Sequence, residues 1–355
     1  MKSGILLIFV AAILFLNSCN KADVVANTDT DFKVLEQAVV TDFANNVALS
    51  SYLQLSVAAA NLNSAIQTLN NSTTGQNLAA SRDAWRNMRQ VWEQCESFLF
   101  GPVEDNDYDP NMDTWPTDYV QMDSLLASNY SLEETSIQNL TLSLRGYHPI
   151  EYIIFGDHGS RKASELTSRQ KDYMRGLSAD LMNTCNALYL SWAGAPENFA
   201  QQVIGAGNGS TKYASKKEVY LALAGGLINI CEEVGGGKMK EPFDARDPAI
   251  VESPYSGNSA IDFKNNITGI QNVYMGLHGG KGLKDIISAK NKSLDNTLQS
   301  KILGAINSFD NITVNFEEAI ITQRVQVQQT MAALLELKQT LENNLVPFIQ
   351  TNIVD

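Results

Sequence analysis

Apolar residues recur every three or four positions along almost the whole chain, and convincing apolar-polar alternation is scarce. That period lays side chains along one stripe of an α-helix, whereas a half-buried strand needs a period of two. The clearest case is residues 81–100, where Ala84, Met88, Val91, Trp92, Cys95, Phe98 and Leu99 share a face. Arg82, Arg86, Arg89, Glu93 and Glu96 step along the opposite side, and Gly101-Pro102 ends the helix. Taken alone, such a charged stripe is a solvated face laced by weak pairs such as Arg89 and Glu93. The same period predicts helices over residues 32–69, 132–144, 166–192, 216–233, 261–275, 294–309 and 317–345. Amphipathic helices with short Gly, Pro and Asn joints must bury their stripes against one another, which predicts an all-α fold. These are too many for one four-helix bundle. Two packed bundles are expected, residues 32–193 and 194–355, with the glycine-rich stretch 194–210 as linker.

The amino end reads Met1-Lys2, then an apolar run over residues 5–16, then Leu16-Asn17-Ser18-Cys19. A basic start, a short apolar core and a small residue before the cut form a secretory signal, here residues 1–18. The run is too short to span a bilayer, which takes ~20 residues. Cys19 directly after the cut is expected to carry a lipid, and the polar residues 19–31 to act as its tether. The expected place is the cell envelope, at the outer membrane or facing the periplasm, with membrane contact through Cys19 only.

Removing residues 1–18 takes away one charge, Lys2, and moves the formal charge from −13 to −14. Such acidity argues against nucleic acid and anionic membrane surfaces, and suits cations or basic ligands. Besides Cys19, the cysteines are Cys95, Cys185 and Cys231. An odd count in an oxidising compartment makes no disulfide framework, so buried thiols are expected.

Three polar segments interrupt the helical pattern. Residues 102–118 hold Glu104, Asp105, Asp107, Asp109, Asp113 and Asp118 without one basic residue. A calcium loop counted from Asp105 would need glycine sixth and glutamate twelfth, where Pro110 and Pro116 stand. Residues 235–248 open Gly235-Gly236-Gly237-Lys238, but after a helix and with Met239 where a phosphate loop needs Ser or Thr. Residues 252–262 are small and polar. No G-x-S-x-G elbow and no Cys/His arrangement supports a side-chain nucleophile, and no C-x-x-C-H haem motif is present. Of the three histidines, His148 stands in Gly146-Tyr147-His148-Pro149-Ile150-Glu151. On a helix His148 and Glu151 share a face and could hold one ion. Alternatively His148 is a helix cap, with Pro149 first in the helix and Glu151 reaching back to the cap amide.

The segment Leu144-Arg145-Gly146-Tyr147-His148-Pro149-Ile150-Glu151-Tyr152 resembles the G-x-H-x-x-E signature of the imelysin family. Further blocks agree in order: Ala84-Trp85 through Arg89, Trp92, Glu96 and Phe100-Gly101-Pro102; Trp115-Pro116; Glu252-Ser253-Pro254-Tyr255-Ser256-Gly257-Asn258-Ser259 with Asp262; and Asn272-Val273-Tyr274-Met275-Gly276. The resemblance implies two related helical bundles with the signature near the groove between them. It also implies two conflicting roles, metallopeptidase by label and bacterial iron acquisition by association. His148, Glu151 and Glu96 are the implied ion ligands, an oxygen-rich set that suits iron or calcium at least as well as zinc. A hydrolytic zinc centre would also want a separate general base, and none is evident. Arg89 and Arg145 would orient the carboxylates or receive an anionic part of a ligand. Trp115, Ser253, Ser256, Asn258 and Asp262 would line the groove. Some relatives carry a histidine- and cysteine-bearing version of the 253–259 block, absent here. The expected function is capture of iron or an iron-bearing ligand, with an envelope transporter as partner. The alternatives are a metallopeptidase and a non-metal ligand-binding protein whose H-x-x-E is a structural brace.

Overall fold

The computed structural model describes residues 28–354, so the expected signal peptide, Cys19 and most of the expected tether lie outside the described residues. Every regular element among them is helical, as the period predicts. The principal helices are α1 (Thr28–Asp42), α2 (Ser50–Asn71), α3 (Gly75–Cys95), α4 (Tyr147–Phe155), α5 (Ser168–Ala193), α6 (Lys216–Glu232), α7 (Ser259–Met275), α8 (Lys292–Ser308) and α9 (Arg324–Thr340). No helix among the described residues is long and apolar enough to cross a membrane.

Helix ends follow their capping chemistry. Thr74 caps α3 by accepting from the Asn77 amide at 3.2 Å. Thr167 and Gln170 close a reciprocal capping box on α5, at 3.2 and 3.0 Å. Ser215 accepts from Glu218 at the start of α6.

Helices α2, α3, α4 and α5 pack together as one layer, and α6, α7, α8 and α9 as another. The two meet chiefly where α3 lies against α7. Glycines set that approach: a Cβ on Gly269 of α7 would lie 2.3 Å from the Gln94 carbonyl, and one on Gly226 of α6 would lie 2.4 Å from the Ser97 carbonyl. Buried apolar residues run without a break through both layers, and Cys95, Cys185 and Cys231 are free thiols within them.

Several local expectations change. Residues 132–144 hold only a short turn, Glu134–Ile137, and a 3-10 turn, Leu142–Leu144, because polar Gln138, Asn139 and Thr141 interrupt the apolar stripe. The 194–210 stretch contains a helix, Phe199–Ile204, whose Phe199, Ala200 and Val203 are buried. Phe199 packs edge-on to Trp192 and tilted against Phe100, at centroid distances of 4.8 and 6.4 Å. The acidic 102–118 stretch is likewise partly helical, over Pro102–Asp105 and Tyr108–Asp113. Helix α1 packs on the second half of the chain, against α6 and the helix Leu283–Lys290. The Tyr220 hydroxyl donates to the Glu36 carbonyl at 2.8 Å, and the Lys281 amide to Asp42 at 2.7 Å.

Candidate functional site

Helix α4 begins after Gly146, whose φ is +77° and whose Cβ, were there one, would sit 1.9 Å from the Met112 carbonyl. Only glycine takes that backbone at that spacing. Gly146 is therefore the cap, and His148 and Pro149 fall in the first turn, where N–H groups have no helical partner. The capping-box alternative for Glu151 does not hold. Its Oε1 instead accepts from the Tyr255 amide at 3.2 Å, the Ser256 amide at 2.8 Å and the Ser256 hydroxyl at 2.7 Å. The signature glutamate thus ties the first half of the chain to the 253–257 segment of the second.

His148 lies with Nε2 2.9 Å from Asp113 and Nδ1 3.6 Å from Glu151, and both partners are buried. Burial alone would lower its pKa, but the two carboxylates prevail and push it up to about 9. In this arrangement the imidazole is a cation. Asp113 also receives the Arg89 guanidinium at 2.7 Å and the Trp92 indole at 2.6 Å. Although burial would raise it, Arg89 and His148 hold Asp113 well below the usual carboxylate range.

Arg89 is the hub. It pairs with Glu93 one turn along α3, with Glu252 at 3.3 Å and with Asp262 at 3.8 Å, as well as with Asp113. Ser253 and Asn258 hold Asp262 in place, donating to it at 2.7 and 2.6 Å. Asn266 donates to Glu93 at 2.6 Å and also to Glu96. The stripe that begins as an ordinary charged face is thus buried at Arg89, Glu93 and Glu96, because α7 lies over it. Burial and mutual repulsion raise the pKa of Glu93 and Glu96, and Asp262 is pushed up to about 7. The cluster carries more carboxylate than its cations neutralise.

A cleft of 340 Å³ opens onto the cluster. Glu96, Asp109, Asp113, Glu233 and Glu252 line it, with Trp115 at its wall. Lys238 is its cation, 2.9 Å from Glu252, 3.0 Å from Glu233 and 3.5 Å from Glu96. Behind the cleft, ligand oxygens of Glu93, Glu252 and Asp262 lie within 4.8 Å of one another, close enough to hold one metal ion.

Of the residues expected from sequence, Glu96 and Trp115 line the cleft, while His148 and Glu151 stand behind it, joined through Asp113 and Ser256. Arg89 and Asp262 belong to the buried cluster. Ser253 and Asn258 are buried supports of Asp262, not a groove wall, because their polar groups are spent on its carboxylate. Ser256 lines a separate cavity. Arg145 turns away to Asp180, at 3.0 and 3.2 Å, and to Asn111. Missed in the sequence as site residues were Glu93, Asp113, Lys238 and Glu252. The signals for them were a charged stripe flanked by Trp85 and Trp92 for Glu93, an acidic loop for Asp113, a glycine-rich run for Lys238, and for Glu252 its place at the head of the 252–259 block.

Comparison with known proteins bears on this arrangement. The family model for imelysin, classed as peptidase family M75, matches residues 48–343. A curated relative, the iron-regulated protein A of Synechococcus elongatus, is 28% identical over 327 residues, covering 88% of each chain. Among solved structures, a candidate iron-regulated protein A precursor from Parabacteroides distasonis superposes with a TM-score of 0.79 at 24% identity, covering 90% of this chain and 95% of that one. An imelysin-like protein from Psychrobacter arcticum gives 0.75 at 15% identity, covering 91% and 98%.

Proposed function

This chain belongs to the imelysin family, and from that premise we propose that it is a cell-envelope lipoprotein that captures iron, or an iron-bearing ligand, for uptake. The acidic cleft is its receiving site. The observation that carries this is the surplus of buried carboxylates, with Glu93, Glu252 and Asp262 converging within 4.8 Å and Glu96 and Asp113 beside them. One oxygen of Glu252 is buried without a hydrogen-bond partner. A multivalent cation relieves that repulsion, and an all-oxygen donor set fits a hard cation better than zinc, which favours nitrogen and sulfur. The iron-regulated name of the curated relative supports an iron-related role. Glu96 and Glu252 would meet the cation first, Glu93 and Asp262 would complete its shell, and His148 and Glu151 would fix the walls.

A hydrolytic centre that used the signature glutamate as its general base would need that carboxylate free. Glu151 is engaged by three hydrogen bonds to one oxygen, which supports binding over hydrolysis. The deciding experiment is a thermal melt of the mature protein after chelation, with iron(II), iron(III), zinc and calcium added back separately. A site at a hundredfold excess of cation over its Kd stabilises the fold by about 2.7 kcal/mol. A shift largest for iron and lost in Glu252→Gln supports capture at the cleft. No shift for any ion would overturn direct binding of the free ion.

A further inference from the structure

A second cavity, of 320 Å³, is lined by Pro254, Tyr255, Ser256 and Gly257 of the segment that Glu151 pins, and by Glu317. Glu317 is 8% exposed, and neither carboxylate oxygen makes a hydrogen bond of normal geometry. Only the Ser259 hydroxyl and its own backbone amide stand near enough to ease its charge. A buried carboxylate left so is costly unless something else partners it.

The walls indicate what that partner is. Pro248, Pro254 and Tyr255 supply apolar and aromatic surface, while Glu318 adds a second carboxylate and His158 stands exposed beside them. The volume is at the low end of small-molecule sites, which are mostly apolar with a few converging polar groups. A bare metal ion would want several convergent carboxylates, and the metal-like cluster found among the described residues is elsewhere, at Glu93, Glu252 and Asp262. One sunken carboxylate at the end of a half-apolar cavity suits a cation carried on a carbon chain. The chain takes the proline and tyrosine surface, and the charged end takes Glu317.

We propose that this cavity is a second binding site, separate from the acidic cleft, for a small organic cation bearing a primary ammonium group, with Glu317 as its counter-ion. The ammonium donates to the Glu317 oxygens and the alkyl portion packs on Pro254 and Tyr255. A charge-assisted hydrogen bond in a partly dry site is worth more than its neutral counterpart, so the neutral isostere binds distinctly less well.

The test titrates n-butylamine and n-butanol, at fixed pH and ionic strength, into wild type, Glu317→Gln, Glu318→Gln and Glu252→Gln by ligand-observed NMR. Saturable binding of the amine, weakened about tenfold or more in Glu317→Gln and for butanol, and kept in Glu252→Gln, is the expected result. Glu318→Gln, which changes an exposed carboxylate, retains most of the affinity. The ring protons of His158 report independently of the variants. They shift on addition of amine while those of His278 stay still. Equal binding of alcohol and amine, affinity unchanged in Glu317→Gln, or loss only in Glu252→Gln would overturn the assignment.

Discussion

Arg89 of α3 and Glu252, from opposite halves of the chain, lie 3.3 Å apart with both side chains buried. The guanidinium is thus shared among carboxylates from both layers, and its removal takes a counter-charge from each of them. Arg89→Met is expected to cost about 3–5 kcal/mol, as for other buried charges left unpaired. Denaturant unfolding reads it. Arg89→Met combined with Glu252→Gln should recover part of the loss, and full additivity of the two changes would contradict a shared ion-pair network.

Glu151 satisfies two backbone amides and a hydroxyl of the opposite half. Replacing it by alanine leaves those donors without their charged acceptor, a loss of about 1–3 kcal/mol. Hydrogen exchange should show the Tyr255 and Ser256 amides opening far more than the amides of α5. Uniform acceleration across the protein would mean that Glu151 acts globally instead.

The glycines at the layer contact set a contrast within one helix. Gly226→Ala must push a methyl against the Ser97 carbonyl and is expected to destabilise by about 1–3 kcal/mol. Gly225→Ala, its neighbour in α6, meets nothing within 4 Å and should stabilise by about 0.5–1 kcal/mol, since alanine favours the helix. Melting temperatures of the two variants should move in opposite directions.

Glu317 gives the fold a pH dependence of known sign. Burial first, then Glu151 and Asp262, raise its pKa from 4.5 to about 7, while Ser259 and its own amide oppose the rise. The native state therefore holds this proton after the unfolded chain has released it. Its contribution to stability is full below pH 4.5 and is lost as the pH rises to about 7. Glu317→Gln removes that decline, so the gap in melting temperature between variant and wild type should widen in the variant's favour between those two values. A constant gap would show that Glu317 does not titrate there.

Lys238 supplies the cleft's positive charge from the end of the glycine-rich helical segment Glu233–Lys238, paired with Glu96, Glu233 and Glu252. A cargo cation has to compete with that ammonium. Lys238→Gln should lower the midpoint in the absence of ions and enlarge the shift produced by iron. If the shift shrinks, the lysine helps hold the cargo.

The long helices were legible because burial along one face writes a local period, as at Met88, Trp92 and Cys95. So were parts of the site, since Glu96 and Asp262 stand in recognisable blocks. Glu93 was not distinguishable from a solvated helix residue, because its burial depends on α7, which is remote in sequence. Asp113 and Lys238 each end a short helical segment, Tyr108–Asp113 and Glu233–Lys238, too short or too glycine-rich to write an apolar period, and only the packed chain brings them to the cluster around Arg89. Arg145 shows the converse. It adjoins the signature in sequence, yet its guanidinium finds Asp180 on α5 and leaves the cluster.

Because α1 is seated on α6 and on the helix Leu283–Lys290, its partners do not exist until most of the polypeptide has been made. A chain emerging from its amino end must carry α1 unpaired while residues 50–193 assemble. Its apolar face, including Val39 and Val40, stays open to water or to a chaperone during that interval. Contacts between segments so distant in sequence are slow to form. The first of the described helices is thus among the last to be docked.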